Sequence, residues 1–222
     1  MITDFKIFEK LEDVILYHGS NKEFTEFDEN KLSTGDSSEL FGKGYYLTDN
    51  KDVATFYGKM ITKKEKITRY SDTGIFGTPV PHFTKDAEEH SEKNYKINTF
   101  RVKGNIMNSK TYKLDDDFLN FLKDLYKKDN HLGESGNSMF DRIVDFMRNN
   151  KQKIHNYRGE LWYLIIQCGF RDKKPMTDYI QKMGYDGLKY ESDLEYEGHG
   201  WNYVIYNKSV IRYEEISKLS SL

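Results

Sequence analysis

Two short stretches hold the residue types best suited to chemistry: LYHGS at residues 16 to 20 and FGKGYYLT at residues 41 to 48. A lysine between two glycines suggests a phosphate cradle, but a GxxxxGK[ST] loop opens a helix, and GxGxxG sits at a strand-to-helix turn. Gly42 and Gly44 lead instead into an apolar run, so neither motif applies. Glycines at such a point permit close approach of the backbone to something flat or bulky, at φ angles other residues avoid. Tyr45 and Tyr46 alternate across a strand, so one faces away from the other. His18, taken alone, reads as readily as a satisfied strand-end histidine as a ligand. Near the other end, NYVIY (202 to 206) follows an acidic loop holding Glu195, Glu197 and His199. The histidines and the single cysteine show no metal-ligand spacing, and no Ser/His/Asp constellation stands out, so no metal is expected.

The elements that must position these groups follow from periodicity. VILYHGS and GYYLT read as strands separated by a polar linker that includes STGDSS (33 to 38). DNKDVATFYGKM reads as a helix capped by Asp49 or Asn50, with Val53, Ala54, Tyr57 and Met60 at helical spacing. A Gly/Pro-containing loop (74 to 82) precedes a candidate strand, KINTFRVKGNIM (96 to 107). Residues 118 to 126, 138 to 150 and 160 to 168 then carry helical apolar stripes, with Gly169 where a helix-ending glycine belongs. KPMTDYIQKMG (174 to 184) is a fourth helix, with Pro175 early and Gly184 past its end. GYDGLKY (184 to 190) and NYVIY return to strand character, and Asp186 suits a turn. β-rich, then α-rich, then β-rich segments predict one α+β domain over residues 1–222, with a mostly helical insertion at about 110–183.

Composition bounds the class. The chain has 222 residues, of which 37% are hydrophobic, 32% charged and 15% aromatic, enough for one proper core and against disorder. A net charge of -2 gives no global attraction to nucleic acid or anionic membrane, although KKEK (63 to 66) and RDKK (171 to 174) concentrate charge locally. Cys168 is alone, which excludes an intramolecular disulfide, and it lies in an apolar run that suits the core. The charged N-terminus lacks a secretory signal and no window reaches the ~20 apolar residues of a membrane span, so a cytoplasmic protein is expected.

Taken together, LYHGS, FGKGYYLTD with ATFY following, GYDGLKY and WNYVIYN resemble the ADP-ribosyltransferases of the diphtheria-toxin and poly(ADP-ribose) polymerase type, closest to their small bacterial and phage-associated members. The pieces lie at both ends of the chain in the family's order, and the middle helices match nothing in it. The resemblance implies a split β-sheet core and NAD as a consumed co-substrate, cut between nicotinamide and ribose. His18 falls on the family histidine that holds the adenosine ribose, and the backbone of Gly19 on the group that holds the nicotinamide carboxamide. Tyr46 and Tyr57, eleven residues apart (46 to 57), fall on the tyrosines that sandwich the nicotinamide ring. Ser20, Gly44 and Ala54 fall within the same binding stretches.

Those residue types suit the reaction. A cationic nicotinamide is held between aromatic faces by stacking and cation–π attraction, about 0.5–2 kcal/mol per face when desolvated. Bond breaking moves positive charge to the ribose, as in glycoside hydrolysis. One departure matters: polymerase-like members carry a glutamate where this chain has Asn202. An amide accepts a hydrogen bond from a ribose hydroxyl but brings no negative charge and cannot be a general base. Transfer of one ADP-ribose is therefore expected rather than chain synthesis, with Glu195 or Glu197 as loop candidates for the missing carboxylate or an acceptor that needs no base. The acceptor is protein or RNA/DNA. The family's members suggest a toxin or anti-phage effector with a neutralising antitoxin partner. An NAD glycohydrolase and a non-catalytic NAD or ADP-ribose binding module are the alternatives.

Overall fold

In the computed structural model of the chain, the described residues are 11–31, 41–64, 70–71, 80–81, 85–130, 133–192 and 200–215. They form a mixed α+β fold. Strands β1 (Glu12–Ser20), β2 (Tyr45–Thr48), β5 (Lys96–Gly104), β6 (Ile106–Asn108), β7 (Gly187–Glu191), β8 (Trp201–Ile205) and β9 (Ile211–Tyr213) make a seven-stranded sheet in the order β6-β7-β8-β2-β1-β5-β9. Only β6 and β7 run parallel; the other neighbours are antiparallel. Two short strands, β3 (Tyr70–Ser71) and β4 (Val80–Pro81), pair separately.

The sheet is divided in the middle. β1 pairs with β5 along its whole length, from Glu12↔Gly104 to Ser20↔Lys96, but meets β2 at a single pair, Tyr17↔Thr48. β5 and β6 stand near opposite ends of the strand order, yet only Asn105 separates them in the chain. The sheet must curl for that connection to close, and the two parts then face each other. Leu16, Phe100 and Val102 from one part pack with Tyr45, Leu47, Ile106, Tyr203 and Ile205 from the other. Each such large side chain withdrawn from water contributes about 1.5–3 kcal/mol. At one end of this inner core Lys189 of β7 forms an ion pair with Glu12 of β1 and lies over the Trp201 and Tyr203 rings, tying the parts across the interior.

Asp186 explains why the predicted strand 96 to 107 breaks. Its Oδ2 accepts from the Asn105 backbone N–H (2.9 Å) and its Oδ1 from Asn207 Nδ2 (2.7 Å). Its own N–H donates to the Asn105 carbonyl at 2.8 Å. The crossover from one part to the other is thus pinned by the carboxylate in the turn before β7.

Helix α1 (Lys51–Lys64) packs on the outer face of β1 and starts at Asn50, whose Oδ1 accepts from the Asp52 N–H at 2.8 Å. α2 (Lys85–Asn94) lies beside it. Helices α3 (Asp116–Asn130), α4 (Gly133–Asn149), α5 (Lys151–Tyr157), α6 (Glu160–Cys168) and α7 (Lys174–Lys182) occupy the expected helical stretch. They pack around Phe118, Leu122, Phe140, Leu161, Leu164, Ile165, Met176 and Ile180 and cover the outer face of the β6-β7-β8 part through Met107, Leu188 and Val204. Gly169 ends α6 in the left-handed conformation (φ 57°, ψ 44°), where the periodicity placed a stop. Among the described residues no helix is long and apolar enough to cross a membrane.

Candidate active site

The single backbone pair between β1 and β2 defines the opening that the site residues surround. Thr48 and Tyr17 are paired, so Tyr46 and Gly19 share their outer face, while His18 lies on the inner one. Beyond Tyr17 the β2-facing edge of β1 carries no ladder to β2. In place of a ladder bond, His18 Nδ1 lies 2.8 Å from the Tyr46 carbonyl oxygen. A carbonyl only accepts, so Nδ1 is the protonated nitrogen and Nε2 is left as an acceptor. Phe24 and Phe27 pack edge-on against the imidazole at 5.6 and 5.3 Å. Burial among these groups pushes the pKa of His18 down, opposed by the hydrogen bond to Tyr46. The ring is a neutral strut across the gap.

Tyr46 is held by its own loop. Its hydroxyl donates to the Gly42 carbonyl (2.9 Å) and accepts from the Phe41 N–H (3.3 Å). Gly42 turns the chain with φ +88°, and a Cβ there would come 2.3 Å from Thr177 Oγ1 on α7. A Cβ at Gly44 would come 2.6 Å from Val204 Cγ1 on β8. The glycines around Lys43 are therefore required by contacts within the protein, the loop wrapping the Tyr46 hydroxyl and pressing on α7 and β8.

Around Tyr46 the outer face gathers polar aromatic groups. Asn202 on β8 pairs with Thr48 on one side and with Tyr190 on the other. The Asn202 side chain lies close enough to the Tyr190 hydroxyl to act on its ionisation, and Tyr57 of α1 and Arg158 are the charged or ionisable groups whose fields reach it. Burial is the main cause that pushes the Tyr190 pKa up, so this phenol is neutral at working pH. Its ring packs on Phe41 at 4.7 Å. Tyr206 donates to the Phe41 carbonyl at 2.8 Å, is buried so that its pKa is pushed well up, and senses both Tyr46 and Tyr190. The Tyr46 and Tyr190 hydroxyls thus act on Tyr206, and Tyr57 on Tyr190, with Asn202 the register partner of Tyr190. Arg158, between α5 and α6, is 6% exposed and lies over the Trp162 ring at 4.6 Å.

The other sequence-predicted residues divide clearly. Ser20 is buried and its Oγ accepts from the Lys22 N–H at 3.0 Å, a turn-fixing role. Ala54 is buried under β1, where its carbonyl would lie 1.8 Å from a Cβ on Gly19. Tyr45 is in the inner core. Glu195, Glu197 and His199 lie outside the described residues, as do residues 33–38. Among the described residues no cluster of His, Cys, Asp or Glu could hold a metal ion. Sequence reasoning missed Tyr190 and Arg158. Tyr190 was visible only as the end of GYDGLKY, and a lone basic residue between two helices gives no signal until its burial is seen.

Two other hollows are present. One of about 600 Å³ adjoins the opening, lined by Tyr17, Asp49, Asn50, Lys51, Gly200 and Trp201. A shallow groove of about 710 Å³ between α4 and α6, lined by Met139, Arg142, Ile143, Phe146 and Tyr163 among others, contains none of the candidate residues. The opening by Tyr46 is better suited to chemistry because polar groups from four strands and a helix converge there. Set against models of known protein families, curated proteins and solved structures, the chain matches none.

Proposed function

We propose that this chain is an ADP-ribosyltransferase of the poly(ADP-ribose) polymerase-like type. It binds NAD at the opening between β1 and β2, breaks the nicotinamide–ribose bond and passes a single ADP-ribose to a macromolecule. The observation that carries the reading is the parting of β1 from β2 after Tyr17↔Thr48, with Gly19 on the bare edge and Tyr46, Tyr57 and Asn202 gathered on the same outer face. A primary carboxamide presents a carbonyl acceptor beside an N–H donor, as a peptide does, so an unladdered strand edge at Gly19 is a natural holder for it. Tyr46 and Tyr57 supply aromatic faces for the cationic ring, and His18, reaching across the gap to the Tyr46 carbonyl, holds Tyr46 in place.

In the reaction the C1′–N bond breaks with its electron pair on the nicotinamide nitrogen, giving a neutral leaving group and a cationic ribose. The acceptor then bonds to C1′ and gives up its proton. Asn202 orients the ribose through a hydrogen bond without adding charge, which limits its help to the developing cation. Protein is the default acceptor given the net charge of -2. The reading extends to a toxin or anti-phage effector restrained by a neutralising protein.

A second reading, binding of NAD or ADP-ribose without cleavage, is favoured by one observation: the field of the cation Arg158 reaches the Tyr190 hydroxyl beside Asn202, and a positive charge there opposes a developing ribose cation. Radiolabelled NAD incubated with the protein and a cell lysate separates the two. Transfer yields free nicotinamide and labelled macromolecules; hydrolysis yields nicotinamide and free ADP-ribose; a binder retains intact NAD. Protease or nuclease treatment of the labelled fraction identifies the acceptor.

A further inference from the structure

Helix α4 carries more apolar surface than the fold covers. Phe140, Val144 and Met147 are buried in the helical core, while Met139, Ile143 and Phe146 make a second stripe at the same spacing, about 100° round the helix. Met139 is 53% exposed and Phe146 55%. Opposite them on α6, Tyr163 stacks on Phe146 at 6.0 Å and 16° between planes, and Ile166, three residues further along α6, is 39% exposed. Between the two helices runs the groove of about 710 Å³. Large apolar side chains exposed next to one another on adjacent helices mark an interaction surface, whereas single ones are ordinary.

Charge and size say what covers it. Among the described residues that line the groove Arg142 alone is charged, and within the described residues no hydrogen bond, ion pair or ring contact engages its guanidinium. Other charges on α4 are engaged or turned away: Asp141 pairs with Lys123 at 2.7 Å, Arg148 with Asp116 at 3.9 Å, and Asp145 lies outside the lining. The groove is also short. From Met139 to Phe146 is seven rises of about 1.5 Å, roughly two turns, and helices pack about 8–10 Å apart. A patch on the order of 100 Å² falls far below the roughly 800 Å² per partner of a stable dimer. A second copy of the chain finds too little surface here, whereas a single helix laid lengthwise fits. We propose that the groove between α4 and α6 docks one amphipathic helix of a partner protein, with its apolar face along Met139 and Phe146 and a carboxylate on its flank against Arg142. The inference stands apart from the NAD reading and from the opening by Tyr46.

The test is selection of displayed peptides of about 16 residues on the whole protein, from two libraries. One fixes apolar residues at i, i+3, i+4 and i+7, the other fixes the same residues in strict alternation, and both leave the remaining positions random. The helical library should be enriched, with Asp or Glu flanking the apolar positions. A selected peptide, synthesised and labelled, should bind the parent and lose affinity about tenfold or more in Met139→Glu and in Phe146→Asp, measured where circular dichroism shows each variant folded. Arg142→Glu should reverse the charge preference, so that a twin peptide with Lys in place of the flanking acids binds about threefold or more better than the acidic one. No enrichment of the helical library, enrichment of the alternating one instead, or binding unchanged in both apolar variants would overturn the inference. So would a charge preference that Arg142→Glu leaves as it was. Self-association of the parent that Phe146→Asp abolishes would give the groove to a second copy, and peptide binding that appears only after residues 1–10 or 216–222 are removed would give it to an end of the chain itself. Either result overturns the inference as well.

Discussion

Gly19→Ala separates a structural requirement for glycine from a ligand-driven one. A Cβ at Gly19 would sit 1.8 Å from the Ala54 carbonyl oxygen, 2.4 Å from the Gly58 nitrogen and 2.9 Å from the Ala54 carbonyl carbon. All three belong to the backbone of α1, so no side-chain rotation relieves the clash and the whole helix must move off β1. Overpacking a core costs about 1–3 kcal/mol even where side chains can yield, which puts this substitution at about 3 kcal/mol or more. At about 2–4 °C per kcal/mol for a chain of this size, the melting temperature should fall by roughly 6–12 °C. Gly58→Ala, on the facing helix, is the internal control. Its Cβ would lie 3.2 Å from the Ser20 nitrogen and 3.3 Å from Gly19 Cα and the Lys96 carbonyl oxygen, a squeeze of a few tenths of an ångström. Replacing a helical glycine returns about 1 kcal/mol, which offsets that squeeze and leaves Gly58→Ala near the parent stability. Thermal unfolding followed by circular dichroism reads both. Because α1 carries Tyr57, NAD affinity should fall in Gly19→Ala at temperatures where the variant is still folded. A Gly19→Ala protein that melts within about 2 °C of the parent, or less stable Gly58→Ala than Gly19→Ala, would refute this reasoning.

Three further outcomes follow from the structure. Cys168 is buried and its thiol pKa is pushed up to about 12, so it should resist a thiol reagent in the folded protein near neutral pH and react fully in denaturant. Rapid native labelling would contradict its placement. His18 has its folded pKa lowered from 6.5, so below that value the unfolded chain takes up more protons and stability falls as pH drops toward the folded pKa. The melting-temperature loss between about pH 7.5 and pH 5.5 should shrink in His18→Phe; an unchanged loss would show that other groups carry it. Asn202→Asp adds a negative charge beside the ribose without changing volume and should raise the rate of nicotinamide release about tenfold or more; a slower enzyme would mean that Asn202 does not face the ribose.

Most of the scaffold was legible because it follows strong local rules. β1, β2, β7 and β8 lie where the aromatic and β-branched runs place them, and α1, α3, α4, α6 and α7 where apolar stripes recur. Asn50, Gly169 and Pro175 punctuate them as capping rules require. What escaped has physical reasons. α2 reads KDAEEHSEKN, nearly all polar, and buries Ala87 and Ser91 rather than an apolar stripe. Among the described side chains of α5 one apolar residue is buried, Ile154, too little for a period to show. β9 is three residues long, and the break at Asn105 depends on Asp186, distant in sequence. At the site, the spacing of Tyr46 and Tyr57 was readable, whereas the reason for Gly44 was not, since it lies in a strand that follows much later in the chain. Tyr190 and Arg158 belong to the site only through strand register and helix packing, which no local pattern encodes.

The most direct measurement of the central claim follows NAD labelled in its nicotinamide, mixed with the purified protein and cell lysate, beside Tyr46→Ala and Tyr57→Ala variants shown to be folded. The parent should release nicotinamide and place ADP-ribose on a macromolecule, and the two variants should do neither. Intact NAD with no binding to the parent, or release that survives both substitutions, would contradict it.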